Sequence, residues 1–129
     1  FKQKTAYEIK ECDWSSDVCS SDLDSGVEVW NLLEQHKIKN VALVGVHVNM
    51  CVVGRPFGLR QLSRNGKNAV LVRDLTDSMY NPARAPMVSH HRGTELFIEH
   101  LEKAICPTIT SDQVLGGKPF AFKPVTGKD

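Results

Sequence analysis

The chain has 129 residues, of which 41% are hydrophobic and 24% charged, and its 16 basic side chains nearly balance 15 acidic ones. A chain of this length builds one modest core, so one domain or part of one is the limit. Its scattered cations give nucleic-acid binding little support, and no apolar run approaches the ~18 residues that span a bilayer.

Phe1–Leu23, FKQKTAYEIKECDWSSDVCSSDL, has no amphipathic period, no apolar core and no signal-peptide pattern. It resembles the conceptual translation of an indexed sequencing-library adapter. Phe1–Ile9 matches the outer arm and Cys12–Leu23 the inner arm, with Lys10 and Glu11 where a barcode would be read. Residues 1–23 are therefore expected to be a non-native, adapter-derived segment without evolved function. Of the 16 basic and 15 acidic side chains, three and five fall in this segment, which leaves 13 and 10, a formal +3. Cys12 and Cys19 fall there too, leaving Cys51 and Cys106. Two cysteines are too few for a disulfide scaffold and point to a reducing compartment, so a cytoplasmic location is expected.

From residue 24 the chain alternates helix and strand. Ser25-Gly26-Val27-Glu28 has the form of a capping box. Val29, Trp30 and Leu33 follow on one helical face, and the helix should end near His36–Lys37. Val41–Val46 is an apolar, β-branched run of the kind buried on both faces of a parallel sheet. Cys51 follows on a turn, and a second helix carries Leu59 and Leu62 and stops at Asn65-Gly66. Pro56 is awkward inside a helix, so either a short first turn spans Cys51–Gly54 or the helix begins at Arg55–Pro56. Ala69–Arg73 reads as a second buried strand, Leu75–Pro86 as a loop and Glu95–Ala104 as a helix. Ile105–Thr110 reads as an edge strand, since it contains Pro107. Residues 116–129 read as an irregular tail, so the interpretable domain spans 24–115. Helices and strands alternating through short links argue for a doubly wound α/β sheet.

The chemistry centres on Cys51. A cysteine at the carboxyl end of a parallel strand sits where open α/β sheets place their ligands. Near a helix N-terminus, its thiolate would be favoured over the thiol. The segment Gly45-Val46-His47-Val48-Asn49-Met50-Cys51-Val52 resembles the nucleophile segment of the isochorismatase-like cysteine hydrolases, which include nicotinamidases and N-carbamoylsarcosine amidases; Val48 stands where that family commonly has Thr. The run GKNAVLVRDLTDSMYNP is similar to the family's next strand and loop. The resemblance extends from about Asp24 to about Leu115.

That resemblance implies a three-layer α/β/α doubly wound parallel sheet of strand order 3-2-1-4-5-6, truncated here to its last three strands. It implies hydrolysis of an amide or related C–N bond of a small molecule through a Cys51 thioester. The backbone N–H groups of His47 and Cys51 would form the oxyanion hole, and a cis peptide would join Val46 to His47. The family's Asp base and assisting Lys precede residue 24 in its order of elements, so Asp74, Asp77 and Lys67 are not their counterparts, and the fragment alone is expected to be inactive. No cofactor or metal is implied for this half, and family members often form homo-oligomers.

Other chemistries fit less well. Arg55 and Arg60 have the wrong spacing from Cys51 for a tyrosine-phosphatase loop, and there is no Walker loop or Gly-x-Gly-x-x-Gly. His90-His91 could pair with Cys51 or hold a metal, but adjacent histidines diverge and read as surface or loop residues, and zinc wants more ligands. The alternative class is a non-catalytic α/β binding or interaction protein that keeps the same scaffold.

Overall fold

A computed structural model describes residues 25–118. The adapter-like segment and all but residues 116–118 of the expected tail lie outside the described residues.

Ser25 caps the first helix, α1 (Gly26–Gln35), by accepting from the Glu28 N–H, which is half of the expected capping box. No residue of α1 is fully buried; its Leu33 packs against the core, and Lys67 fastens it further. The Lys67 ammonium lies 4.6 Å from the Trp30 ring centroid and bonds both Glu34 and the Ile38 carbonyl. Its side chain is only 7% exposed, and the carboxylate and carbonyl accept the hydrogen bonds it can no longer give to water.

Three parallel strands follow, β1 (Asn40–Gly45), β2 (Asn68–Thr76) and β3 (Thr108–Ile109), in the order β1-β2-β3. An Asn68–Asn40 side-chain bond of 2.8 Å pins the register where the first pair begins. Between β1 and β2 lie a π-helical turn (Val48–Val52) and α2 (Leu59–Arg64); between β2 and β3 lies α3 (His90–Ala104). α3 begins five residues earlier than expected, where Ser89 accepts from the Arg92 N–H. β3 is shorter than expected, and Pro107 falls just outside it, with its carbonyl accepting from the Leu71 N–H. A last short helix, α4 (Ser111–Leu115), which was not expected, opens on a Thr110–Gln113 capping box. The Asp74 carboxylate accepts from both the backbone N–H and the hydroxyl of Ser111, tying α4 to the end of β2.

Parallel strands added in one direction with right-handed crossovers place their connecting helices on one face of the sheet. The core follows that rule. Val48, Val53, Leu59, Leu62, Ile98, Leu101 and Cys106 pack with Ala69 and Leu71, and the half-buried Leu33, Val41, Leu43 and Phe97 pack around them. The opposite pleat of β1 is open: Ala42 is exposed and Val44 is 55% exposed. This corrects the expectation that β1 is buried on both faces. β1 is an edge strand in this three-stranded sheet, and helix cover exists on one side of it. β2, paired on both edges, buries Ala69, Leu71 and Val72 as expected.

The two pleats should differ sharply under mutation. Leu71→Ala is expected to cost about 2–5 kcal/mol, and Val44→Thr to change stability by no more than about 0.5 kcal/mol, both read by urea unfolding.

Candidate functional site

All three strands end at one edge of the sheet, and the chain that leaves β1 turns sharply there. Gly45 has φ 127°, a conformation side chains rarely adopt. The pairing jumps from Leu43↔Leu71 to Gly45↔Thr76, so β2 carries a bulge, and the Thr76 hydroxyl closes it onto the Gly45 carbonyl at 2.6 Å. His47 is left-handed at φ 59°, ψ 48°, and its carbonyl accepts from the N–H groups of Met50 (2.8 Å) and Val52 (3.4 Å). The π-turn is anchored by fully buried Val48, with Val53 buried immediately after it. Cys51 lies between these anchors and is half-buried.

His47 and Cys51 thus share one turn at the carboxyl edge of a parallel strand. Two expectations about this turn change. The Val46–His47 peptide is trans; the cis bond among the described residues is Ala85–Pro86. A cis bond before a non-proline residue persists only where surrounding structure enforces it, and β1 here has an open flank. Cys51 also does not sit at the start of α2, which begins at Leu59 behind the cap Gly58. Pro56 and Phe57 form the turn between, so the short-first-turn alternative is the nearer one. Gly58 is required there, because a Cβ would come within 2.8 Å of the Val52 carbonyl oxygen.

The loop that follows β2 is fastened to this turn. The Val48 N–H donates to the Asp77 carbonyl at 2.8 Å. The Asn49 side chain donates to the Met79 carbonyl (3.1 Å) and accepts from the Met79 N–H (2.9 Å). Asp77 Oδ1 in turn accepts from the Ser78 N–H, from Thr94 Oγ1 and from His90 Nε2. The Thr94 proton is committed to Asp77, so the buried Ser78 hydroxyl donates to Thr94 across 2.6 Å. Tyr80 lies along α3, its hydroxyl donating to the Arg84 carbonyl and accepting from the Val88 N–H.

Partial burial opposes the charge on Asp77, but the bonds from His90 and Ser78 outweigh it and hold its carboxyl below the ordinary 3.8. The same Asp77 bond, with a second bond to the Tyr80 carbonyl, raises His90 above 6.5. Burial pushes the Cys106 thiol up, as suits a core cysteine.

His90 was expected to be a loop or surface residue; it is at the surface, with its side chain 37% exposed, but as the first residue of α3 and paired with Asp77. His91 is exposed, its ring 6.2 Å from that of His90. Among the described residues no three His, Cys, Asp or Glu side chains converge to hold a metal, and no helix is long and apolar enough to cross a membrane. Sequence reasoning missed Asn49, Ser78, Tyr80 and Thr94: Asn49 meets Met79 30 positions away, Ser78 meets Thr94 16 away, and the Tyr80 hydroxyl bridges Arg84 and Val88 within an irregular loop. The apolar groove of about 760 Å³ between α1 and α2, lined by Val27, Trp30, Pro56 and Phe57, includes neither His47 nor Cys51.

Gly93 is what lets Tyr80 lie against α3, since a Cβ there would meet the ring at 2.3 Å. Gly93→Ala should destabilise the chain by about 1–3 kcal/mol through overpacking, despite a helix-propensity gain of about 1 kcal/mol. Denaturant unfolding of the variant reads the sign directly. Compared with protein-family models, with curated proteins and with solved structures, the chain matches none of them.

Proposed function

We propose that this chain carries the nucleophile-bearing half of an isochorismatase-like cysteine hydrolase, acting on an amide or related C–N bond of a small molecule. One observation carries the reading: half-buried Cys51 and His47 share a tight turn at the carboxyl end of a parallel strand. The strand order β1-β2-β3 and the single covered face also suit the last three strands of a larger doubly wound sheet. On this reading the open pleat of β1 would receive the other helical layer.

The reaction follows from the thiol. The Cys51 thiolate attacks the carbonyl carbon, and the resulting oxyanion is held by the backbone N–H groups of His47 and Cys51, each donor worth about 2.7–4 kcal/mol in such sites. Collapse breaks the C–N bond, and the leaving nitrogen takes a proton as the Cys51 thioester forms. Water then attacks the thioester, releasing the carboxylic acid and restoring the thiol. The base and the assisting Lys would come from outside the described residues. On this reading the intact protein would be cytoplasmic and able to form homo-oligomers, and no cofactor is implied for this half.

A second reading, a non-catalytic α/β binding module on the same scaffold, is favoured by one specific feature. Asp77 and His90, titratable groups at this edge, are committed to each other and to backbone.

The test uses the gene with its genomic sequence upstream of Asp24, screened on small primary amides. Cys51→Ala should lower turnover by about three orders of magnitude or more while leaving the unfolding midpoint near that of the parent. Hydroxylamine should trap an acyl group from the parent enzyme and none from the variant. Parent-like turnover by Cys51→Ala would remove Cys51 from the mechanism.

A further inference from the structure

We propose that the loop after β2 is a pH-sensitive brace for the Cys51 turn, tied to it through Val48 and Asn49 and locked by the His90 imidazolium. Its meaning for catalysis rests on the reading of Cys51 as nucleophile; its measurement does not.

The brace has two parts. The first joins loop to turn. The Val48 N–H meets the Asp77 carbonyl, and the Asn49 amide makes two opposed bonds with the Met79 backbone, much as a neighbouring strand would. Asn49 stands two residues from Cys51 on the same turn, so displacing Asp77–Met79 removes three hydrogen bonds from the element that carries the thiol.

The second part holds the loop, which between Asp77 and Ser89 contains no helix or strand. Tyr80 fastens it over Gly93, and His90 bridges it from the first turn of α3. His90 Nε2 lies 2.8 Å from Asp77 Oδ1, and His90 Nδ1 lies 2.9 Å from the Tyr80 carbonyl oxygen. An ionised carboxylate and a carbonyl only accept, so both ring nitrogens must carry protons. A neutral imidazole has one donor. Losing the proton breaks one bridge and turns a lone pair toward an acceptor.

Among the described residues, the groups that face His90 come from the loop after β2 and from α3 itself. Asp77 carries the charge paired with it; the Tyr80 hydroxyl is engaged by Arg84 and Val88 backbone, and the His91 ring stands edge-on to that of His90. Arg92, two residues along α3, is paired with Glu95 and Glu99. The raised titration of His90 agrees with this geometry. Its sign makes the bridge complete below 6.5 and lost as pH rises through the folded midpoint above that value. Asp77 titrates below its ordinary 3.8, so its contribution is present above 3.8 and lost as pH falls through its folded midpoint.

The test is amide hydrogen exchange of the full 129-residue chain, corrected for intrinsic rates, from about pH 5 to about pH 9, with the His90 ring followed by NMR. Protection of the Val48 and Met79 amides should fall by about tenfold as His90 deprotonates, with the same midpoint, while Leu71 in β2 stays unchanged. His90→Gln should lower that protection and abolish the step. A flat profile in the wild-type chain overturns the proposal, as does a step that survives in His90→Gln. If His90→Gln does not fold, the wild-type co-titration decides alone: matched midpoints support the brace, and unmatched midpoints overturn it. If the gene with its genomic upstream sequence is inert on amides while the 129-residue chain shows the step, the brace stands and the hydrolase reading falls; an active full gene product with a flat profile in the chain does the reverse.

Discussion

Handedness governs this structure more than any single contact. A right-twisted strand feeding a helix and returning in parallel closes to the right, and here the chain makes that excursion twice while moving the same way across the sheet. Both connecting helices must then lie on one face. The core therefore gathers on the pleat of Val41, Leu43, Ala69 and Leu71, and the pleat of Ala42 and Val44 has none of α1–α3 over it. The same constraint brings the carboxyl ends of all strands to one edge, where the π-turn, the loop after β2 and the start of α4 meet.

At that edge the backbone leaves its regular partners, and side chains take over as hydrogen-bond acceptors and donors. Asn49 serves the Met79 backbone, Asp74 the first N–H of α4, Asp77 the Ser78 N–H, and Thr76 the Gly45 carbonyl. Unpaired buried backbone groups would be costly, so a polar residue sits at each departure from the ladder. Among the described residues every buried side-chain N or O atom has a partner. A half-buried thiol on a turn of this kind has its neighbours defined by hydrogen bonds, whereas Cys106 is defined by packing in the core. The two cysteines therefore differ in surroundings although they are alike in composition.

Lys67 illustrates how such a small core is extended. α1 buries no residue completely, so apolar contact alone holds it weakly; one ammonium joins its Trp30 face, its Glu34 carboxylate and the Ile38 carbonyl into a single attachment. Surface ion pairs contribute little, but this ammonium is enclosed, and removing either partner would leave a buried charge short of ligands.

The strands at Val41–Val46 and Ala69–Arg73, the α1 boundaries and the stop of α2 at Asn65-Gly66 were legible in the sequence, because each depends on a short-range pattern of apolar period or cap. So was the placement of Cys51 on a turn after a parallel strand, which follows from a β-branched run giving way to a helical period. What the sequence by itself determined was thus the alternation of elements and a cysteine at a strand's carboxyl end. The tertiary structure alone decided the rest: which pleat of β1 is covered, the early start of α3 at His90, and the meeting of His90 with Asp77 and of Asn49 with Met79. Those pairs are 13 and 30 residues apart and obey no helical or strand spacing. They meet because β2 and α3 are brought to the same edge by chain handedness, a property of how segments pack and not of any segment read alone.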